Sequence, residues 1–322
     1  MNLFLLAAGL GTRLLPFTEK TPKPAIPFLN VPMGLYQFQY LSEMQHQLTS
    51  FTVNTHHLPL LVEDLYNSQP YLKMKPKFSL EAGKILGNGG ALKKAQSLMT
   101  PGHPILLMNA DEVYFSENKG YMLELLEQHT RTKALATLAV MKHAQAGKTF
   151  GAIWCDQDKS VKHIGKTSTD EKLIPWHYIG GCILSWEVLS HIKEDTEQNI
   201  LYDVLFPFLH RLNIFELKCD WFETGNKDDL LLATQHMLKQ LPHQKDLLQF
   251  IDKYDPSNLI QGSLVSNAQA IDSKNLVGFN CVGKTAVIND NVQLKNCIAF
   301  ASRSPKTHAR KKQNNCGLWL WR

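Results

Sequence analysis

The run from Leu3 to Pro27, LFLLAAGLGTRLLPFTEKTPKPAIP, gathers residue types whose spacing suits the gripping of a polyphosphate. Gly9 and Gly11 let backbone N–H groups converge on phosphate oxygens where a Cβ would intrude. Arg13 supplies a planar fork of donors and Lys23 a compact charge. Pro16, Pro22, Pro24 and Pro27 restrict the segment that has to place Lys23. The run is neither G-x-G-x-x-G nor G-x-x-x-x-G-K-S/T. Gly11 is followed by Thr12-Arg13-Leu14, and no Lys-Thr pair opens a helix.

The elements that must hold these residues alternate through residue 145. Apolar runs at Leu3–Ala7, Phe51–Thr55, Phe78–Glu81, Ile105–Asn109 and Leu135–Met141 predict parallel strands. Helical patterns lie near Leu35–Gln47, Leu60–Asn67, Ala91–Met99 and Gly120–Thr130. This βα alternation implies a sheet with helices on both faces and ligands beyond the carboxyl ends of the strands. Gly9-Leu10-Gly11, Asn109-Ala110-Asp111 and Gly87-Asn88-Gly89-Gly90 all fall at such ends and should converge. From Gly151 to Ile164 the pattern predicts a hairpin around Asp156–Lys159. A strand near Tyr178–Leu184, a helix Tyr202–Leu212, a strand Ile214–Trp221 and a closing helix Lys227–Gln240 complete a lobe on the same sheet.

The chain of 322 residues allows one large α/β domain and a small appendage. No stretch is long and apolar enough to span a membrane, and no cleavable leader is legible, so the expected setting is cytoplasmic. The six cysteines lack metal-ligand spacing and are expected as reduced thiols. The net charge of +5 is local. Residues 302–322 hold six Lys/Arg and no acid, which leaves 28 basic against 29 acidic residues elsewhere. The body is therefore no nucleic-acid surface, and the tail is expected to be disordered. Between residues 256 and 300, Leu259, Val265, Ile271 and Val277 stand six apart, and after a slip of one the row resumes at Val282, Ile288, Leu294 and Phe300. That period predicts the coils of a β-helix.

Residues Gly9 to Pro24 resemble the signature G-x-G-T-R-L-x-P-x-T-x-x-x-P-K-P of the sugar-1-phosphate nucleotidyltransferases, the NDP-sugar pyrophosphorylases. The resemblance implies a Rossmann-like nucleotidyltransferase domain with a mixed, mainly parallel sheet over residues 1–242. A linker and a short left-handed β-helix of hexapeptide repeats would follow over 243–301. Asn109-Ala110-Asp111 is similar to the family's N-G-D and Trp221-Phe222-Glu223-Thr224-Gly225-Asn226 to its W-x-D-I/V-G-T-P. These likenesses make Asp111 and Glu223 the expected Mg²⁺ ligands; the plainer reading is a turn or cap residue for Asp111 and a surface residue near a helix start for Glu223. Arg13, Lys23 and Asp111 are the expected catalytic residues. Leu6, Ala7, Ala8, Gly9, Gly11, Thr12, Arg13, Lys23, Gly89, Gly90 and Asn109 are expected around the nucleotide, although a simple helix cap explains the turn of Gly89 and Gly90 almost as well. Phe150-Gly151-Ala152 resembles Y-G-V, Gly165-Lys166-Thr167 occupies the E-K-P place, and Tyr178 and Gly180 fall where an Asn/Thr-x-Gly segment closes on the sugar, so the resemblance puts Gly151, Lys166, Tyr178 and Gly180 on the sugar phosphate. His56-His57 and Lys93-Lys94 read as solvated surface residues.

Val53-Asn54-Thr55-His56-His57-Leu58 and Gly89-Gly90-Ala91-Leu92-Lys93-Lys94-Ala95 resemble most the bacterial mannose-1-phosphate guanylyltransferase-like proteins. The implied reaction joins an NTP and a hexose 1-phosphate, GTP and mannose 1-phosphate first. UTP with N-acetylmuramate 1-phosphate or glucose 1-phosphate is the alternative. A non-catalytic NDP-sugar-binding regulator is the rival of another class, prompted by Ala110, Gly165, Glu223 and Asn226. No nucleic-acid or membrane partner is expected, and the β-helix offers a surface for a homo-oligomer.

Overall fold

A run of apolar residues can form a strand only if both of its faces find cover. The computed structural model, which describes residues 1–289, 292–301 and 318–319, meets that demand at Leu3, Phe4 and Leu5, each at most 1% exposed. They lie in β1 (Asn2–Leu6), which with β2 (Ser50–Thr55), β3 (Lys77–Leu80) and β4 (Ile105–Asn109) forms a parallel set in the order β4-β1-β2-β3.

The second half of the sheet comprises β5 (Ala136–Met141), β6 (Ala152–Cys155), β7 (Val161–Gly165), β8 (Ile174–Leu184) and β9 (Leu212–Glu216). β6 and β7 form the expected antiparallel hairpin. β8 runs antiparallel to β4, β5 and β6, whereas β9 is parallel to β5. The sheet is therefore mixed, and β5 does not simply continue the parallel set. β8 serves several neighbours because its register shifts between Tyr178 and Cys182, where Gly180 takes φ +74°. Such a bulge bends one strand between two pairings. On β5, Leu138 and Val140 face the core built around Phe4, Leu107 and Leu184. Thr137, on the opposite face, meets His129 of the helix Tyr121–Thr132 at 3.0 Å.

Two predicted helices are broken. Leu35–Gln47 resolves into a turn, a four-residue helix Phe38–Leu41 and a second turn. The chain passes from one compact unit to another between Tyr36 and Gln37. Tyr36 packs on Phe28 and Phe250, while Tyr40 packs on Tyr114 and Tyr121, so no single helical stripe serves both. Tyr202–Leu212 becomes a wide turn Ile200–Leu205 and a kinked 3₁₀ segment Phe206–Arg211, because Pro207 lacks the N–H that an α-helix needs. The strand expected over Ile214–Trp221 is interrupted, with Asp220–Phe222 a separate piece.

One unit comprises residues 1–9, 37–56 and 72–221; the other comprises 10–36, 57–71 and the chain from Phe222 onward. In the latter, Asn226 caps the helix Lys227–Gln240 by accepting the Asp229 N–H. A hairpin, Ser257–Ile260 with Ser263–Ser266, turns at Gln261 and Gly262, both at positive φ. Short parallel ladders follow: Leu264 pairs with Cys281 and Cys281 with Ile298, while Leu276 pairs with Leu294. Val265, Val282 and Ala299 bury their side chains together between them. The tail expected over 302–322 lies outside the described residues, except that Leu318 and Trp319 pair antiparallel with Ala301 and Phe300. Among the described residues no helix is long and apolar enough to cross a membrane.

Candidate functional site

Leu6, the last residue of β1, pairs with Asn54 of β2 on one side and Asn109 of β4 on the other. The Ala110 N–H then donates to the Leu6 carbonyl at 3.0 Å. The segments Leu6-Ala7-Ala8-Gly9 and Asn109-Ala110-Asp111 therefore leave one sheet edge side by side, as the strand ends predict. Ala8 is buried, Gly9 is exposed, and no atom lies within 4 Å of the place a Gly9 Cβ would take. The Ala7 N–H, one residue past β1, donates to Asn54 Oδ1 at 2.7 Å. Asp111 is partly exposed.

Gly87, Gly89 and Gly90 lie on the first turn of the helix Gly87–Lys94. Their surroundings are protein backbone. A Cβ on Gly87 would stand 2.5 Å from the Gln198 carbonyl oxygen, and one on Gly90 would stand 2.3 Å from that of Thr196. The Gly89 N–H donates to the Gln198 carbonyl at 2.8 Å. These contacts explain the glycines as close packing of two backbones. His56, His57 and Lys93 are likewise not merely solvated: each bonds a main-chain carbonyl, of Glu81, Thr18 and Leu189 respectively.

Beyond Asp111 the structure adds a carboxylate that the motifs did not single out. Glu112 accepts from Asn109 Nδ2 at 3.0 Å through one oxygen and from Trp221 Nε1 at 2.8 Å through the other. The bulge residue Gly180 lies against it, since a Cβ there would fall 2.6 Å from Glu112 Oε1 and 2.8 Å from Asn109 Nδ2. Trp221 also packs edge-on against Phe150, His143 and His177. The segments carrying Phe150-Gly151, His177-Tyr178 and Gly180 are thus joined to Asn109 through Trp221 and Glu112. Lys166 is exposed just after β7, with no contact tying it to this group. His177 is buried with neither ring nitrogen hydrogen-bonded. Burial, with His143 adding to it, pushes its pKa down to about 4. The sequence motifs include Asn109, Phe150, Gly180 and Trp221 of this cluster, whereas Glu112, His143 and His177 carry no motif.

The cationic residues belong to the other unit. Gly11 adopts φ +64°, its carbonyl accepts from Thr18 Oγ1, and a Cβ there would meet Thr18 at 2.7 Å and Lys23 Cβ at 3.2 Å. A left-handed residue with that little room must be glycine. Thr12 and Arg13 follow in a single 3₁₀ turn, and Lys23 opens another between Pro22 and Pro24. Arg13 is 65% exposed and lies 3.9 Å from Glu223 Oε1, which also accepts the Gly225 N–H at 2.6 Å. The structure thus joins the first glycine-arginine motif to the Glu223-Thr224-Gly225 turn. An added Cβ on Gly225 would strike both Glu223 and Arg13.

Among the described residues no group of three or more His, Cys, Asp or Glu is arranged to hold a metal. Asp111 in one unit and Glu223 in the other each carry a carboxylate, a hard oxygen donor of the kind that Mg²⁺ accepts. Mg²⁺ keeps waters and takes substrate phosphates, so it fits a site with few protein ligands. Thiol chemistry is unfavoured: burial pushes Cys155, Cys182 and Cys219 up to about 12, and all five described cysteines are free.

Comparison with known proteins agrees with this fold. The model of the nucleotidyl transferase family matches residues 3–240. The chain is 27% identical over 282 residues to mannose-1-phosphate guanyltransferase 2 of Candida glabrata, covering 83% of this chain and 71% of that protein. It is 26% identical over 254 residues to the UTP–glucose-1-phosphate uridylyltransferase of Synechocystis, covering 74% and 64%. HddC from Yersinia pseudotuberculosis, solved with GMP-PN, shares the fold with a TM-score of 0.58 at 21% identity, covering 73% of this chain and 99% of that one. An apo UDP-glucose pyrophosphorylase gives a TM-score of 0.61 at 19% identity, over 74% and 98%. With the family match spanning most of its length, the chain belongs to the nucleotidyl transferase family and is an enzyme of that type.

Proposed function

We propose that the protein transfers a nucleotidyl group from an NTP to a hexose 1-phosphate, with GTP and mannose 1-phosphate as the first pair. A phosphate oxygen of the sugar phosphate attacks the α-phosphorus. The bond from that phosphorus to the β-bridging oxygen breaks, and pyrophosphate leaves in line. The obstacle is repulsion between anions, which positioning and fixed cations relieve. Arg13 neutralises the β/γ end and Lys23 the transferring phosphate. Leu6, Ala7 and Ala8 meet the base through main-chain groups, and Gly9, Gly11 and Thr12 the phosphates. Gly89, Gly90 and Asn109 complete the nucleotide's surroundings. Gly151, Lys166, Tyr178 and Gly180 take the sugar phosphate. Asp111, with Glu223, would hold Mg²⁺, which supplies charge neutralisation at the phosphoryl oxygens.

The observation that carries this reading is the hydrogen bond from Ala110 to Leu6, which sets the Asp111 segment beside the backbone that opens the glycine run. Relatives named for guanylyl and uridylyl transfer support the reaction class and leave UTP as the second base to test. We include in the proposal that the parallel ladders after residue 263 are coils of a short left-handed β-helix, repeating at roughly three six-residue faces, and that copies pair through it. Incubation with each NTP and each hexose 1-phosphate, with pyrophosphate release as the readout, tests the activity. No turnover with any pair sinks it.

A further inference from the structure

Asn54 and Glu81 are polar residues buried inside the sheet unit. Asn54 sits within β2, 3% exposed, and Glu81 lies just past β3, 1% exposed. No lysine or arginine among the described residues pairs with Glu81. A buried carboxylate without a cation is costly unless hydrogen bonds hold both of its oxygens. Here they do. Asn54 Nδ2 donates to one oxygen at 2.6 Å and the Leu86 N–H donates to the other at 2.7 Å. Asn54 Oδ1 in turn accepts the Ala7 N–H at 2.7 Å. Ala7 has passed the end of β1 and Leu86 precedes the helix that starts at Gly87, so neither N–H has a ladder partner. His56 Nδ1 contacts the Glu81 carbonyl at 2.7 Å, fixing the same residue from its main chain.

We propose that Asn54 and Glu81 are positioning residues, a relay that spaces the backbone at Ala7 from the turn entering the Gly87-Asn88-Gly89-Gly90 helix and thereby sets how tightly an NTP is held. The inference rests on the nucleotidyl-transfer reading above. Neither residue need touch the nucleotide. Short, charge-assisted bonds fix distance more tightly than apolar packing does, and main-chain recognition of a base depends on that distance.

The polarity of the relay supplies its test. Glu81→Gln leaves an amide N–H facing either Asn54 Nδ2 or the Leu86 N–H, donor against donor. Asn54→Asp sets two carboxylates within hydrogen-bond distance, which must then share a proton. The double variant Asn54→Asp/Glu81→Gln satisfies every atom again: Gln Nε2 donates to Asp, Gln Oε1 accepts Leu86, and Asp accepts Ala7. Binding of GTP and of UTP with Mg²⁺ is measured by calorimetry, with steady-state KM and kcat for the pair that turns over. Each single variant is expected to weaken NTP affinity at least tenfold, with KM for the NTP moving more than kcat. The double variant is expected to return within about threefold of wild type. The Asn54→Asp loss is expected to narrow as the pH falls and the shared proton binds. If Glu81→Gln fails to fold, Glu81→Asp, which keeps the charge and shortens the reach to Leu86, is expected to show the same KM-led loss. An active wild type whose single variants bind normally, or whose double variant is no better than the singles, overturns the relay alone. A wild type that binds no NTP overturns the relay together with the reading beneath it.

Discussion

Gly9→Ala separates a glycine kept open for a substrate from one required by the fold. Gly9 is exposed, its φ is not in the left-handed region, and nothing lies within 4 Å of an added Cβ. The protein alone therefore sets no price on alanine here, and reduced freedom of the unfolded chain favours it by about 0.4–1 kcal/mol. A phosphate oxygen bonded to the local N–H groups would meet the new methyl and retreat. Losing one hydrogen bond to a charged group costs about 1.5–3 kcal/mol, or roughly 10- to 150-fold in kcat/KM. Gly90→Ala is the converse control. Its Cβ would stand 2.3 Å from the Thr196 carbonyl, so it should lose about 1–3 kcal/mol of stability and several degrees of Tm. Thermal melting and pyrophosphate release measured on both variants decide the matter. A Gly9→Ala protein that melts like wild type and keeps kcat/KM within twofold refutes the placement of phosphate at this turn.

Arg13→Ala and Lys23→Ala are each expected to lower kcat/KM by about 100-fold or more, the scale of losing a preorganised donor to developing charge. Melting should barely change for Arg13, whose 3.9 Å pair is exposed and of little worth; a proportional loss of stability would argue for a structural role instead. Asp111→Asn should abolish most Mg²⁺-dependent turnover and raise the Mg²⁺ needed for half-maximal rate. Chelation by EDTA should do the same to the wild type, and turnover unchanged by either treatment contradicts the metal assignment. Stability should fall in acid through His129 and His177, both held near 4 by burial against an ordinary 6.5. The unfolded chain protonates first as pH drops, so this stabilisation is complete above about 6.5 and is lost down to about 4, at most about 3 kcal/mol for each ring. Urea unfolding at pH 7.5 and 4.5 checks it, and His177→Phe should shrink the difference; equal midpoints at the two pH values would contradict the assignment.

The sheet was legible where its physics is local. β1, β2 and β4 fall within a residue of the apolar runs, because strands buried on both faces need no alternation to be seen. The hairpin about Asp156–Lys159 and the helix Lys227–Gln240 were equally plain, the first because turn residues announce themselves, whereas the Asn226 cap on that helix shows only in the structure. What escaped depended on partners far along the chain. Nothing near Tyr36 says that it packs on Phe250, whereas Tyr40 stacks on Tyr114. Glu112 had no motif to mark it, and its role as the acceptor between Asn109 and Trp221 exists only in three dimensions.

Glycine shows most directly why a motif underdetermines a site. Read along the chain, Gly9, Gly11, Gly89, Gly90 and Gly180 are alike, small residues where something must come close. Their surroundings divide them. Gly11 answers to a left-handed φ and the Thr18 side chain, Gly90 to the backbone of Thr196, and Gly180 to a bulge packed on Glu112. Each of those requirements is met inside the protein. Gly9 alone of the five has neither a strained φ nor a neighbour, so the protein itself gives no reason for the missing side chain. A requirement for glycine there has to come from what binds.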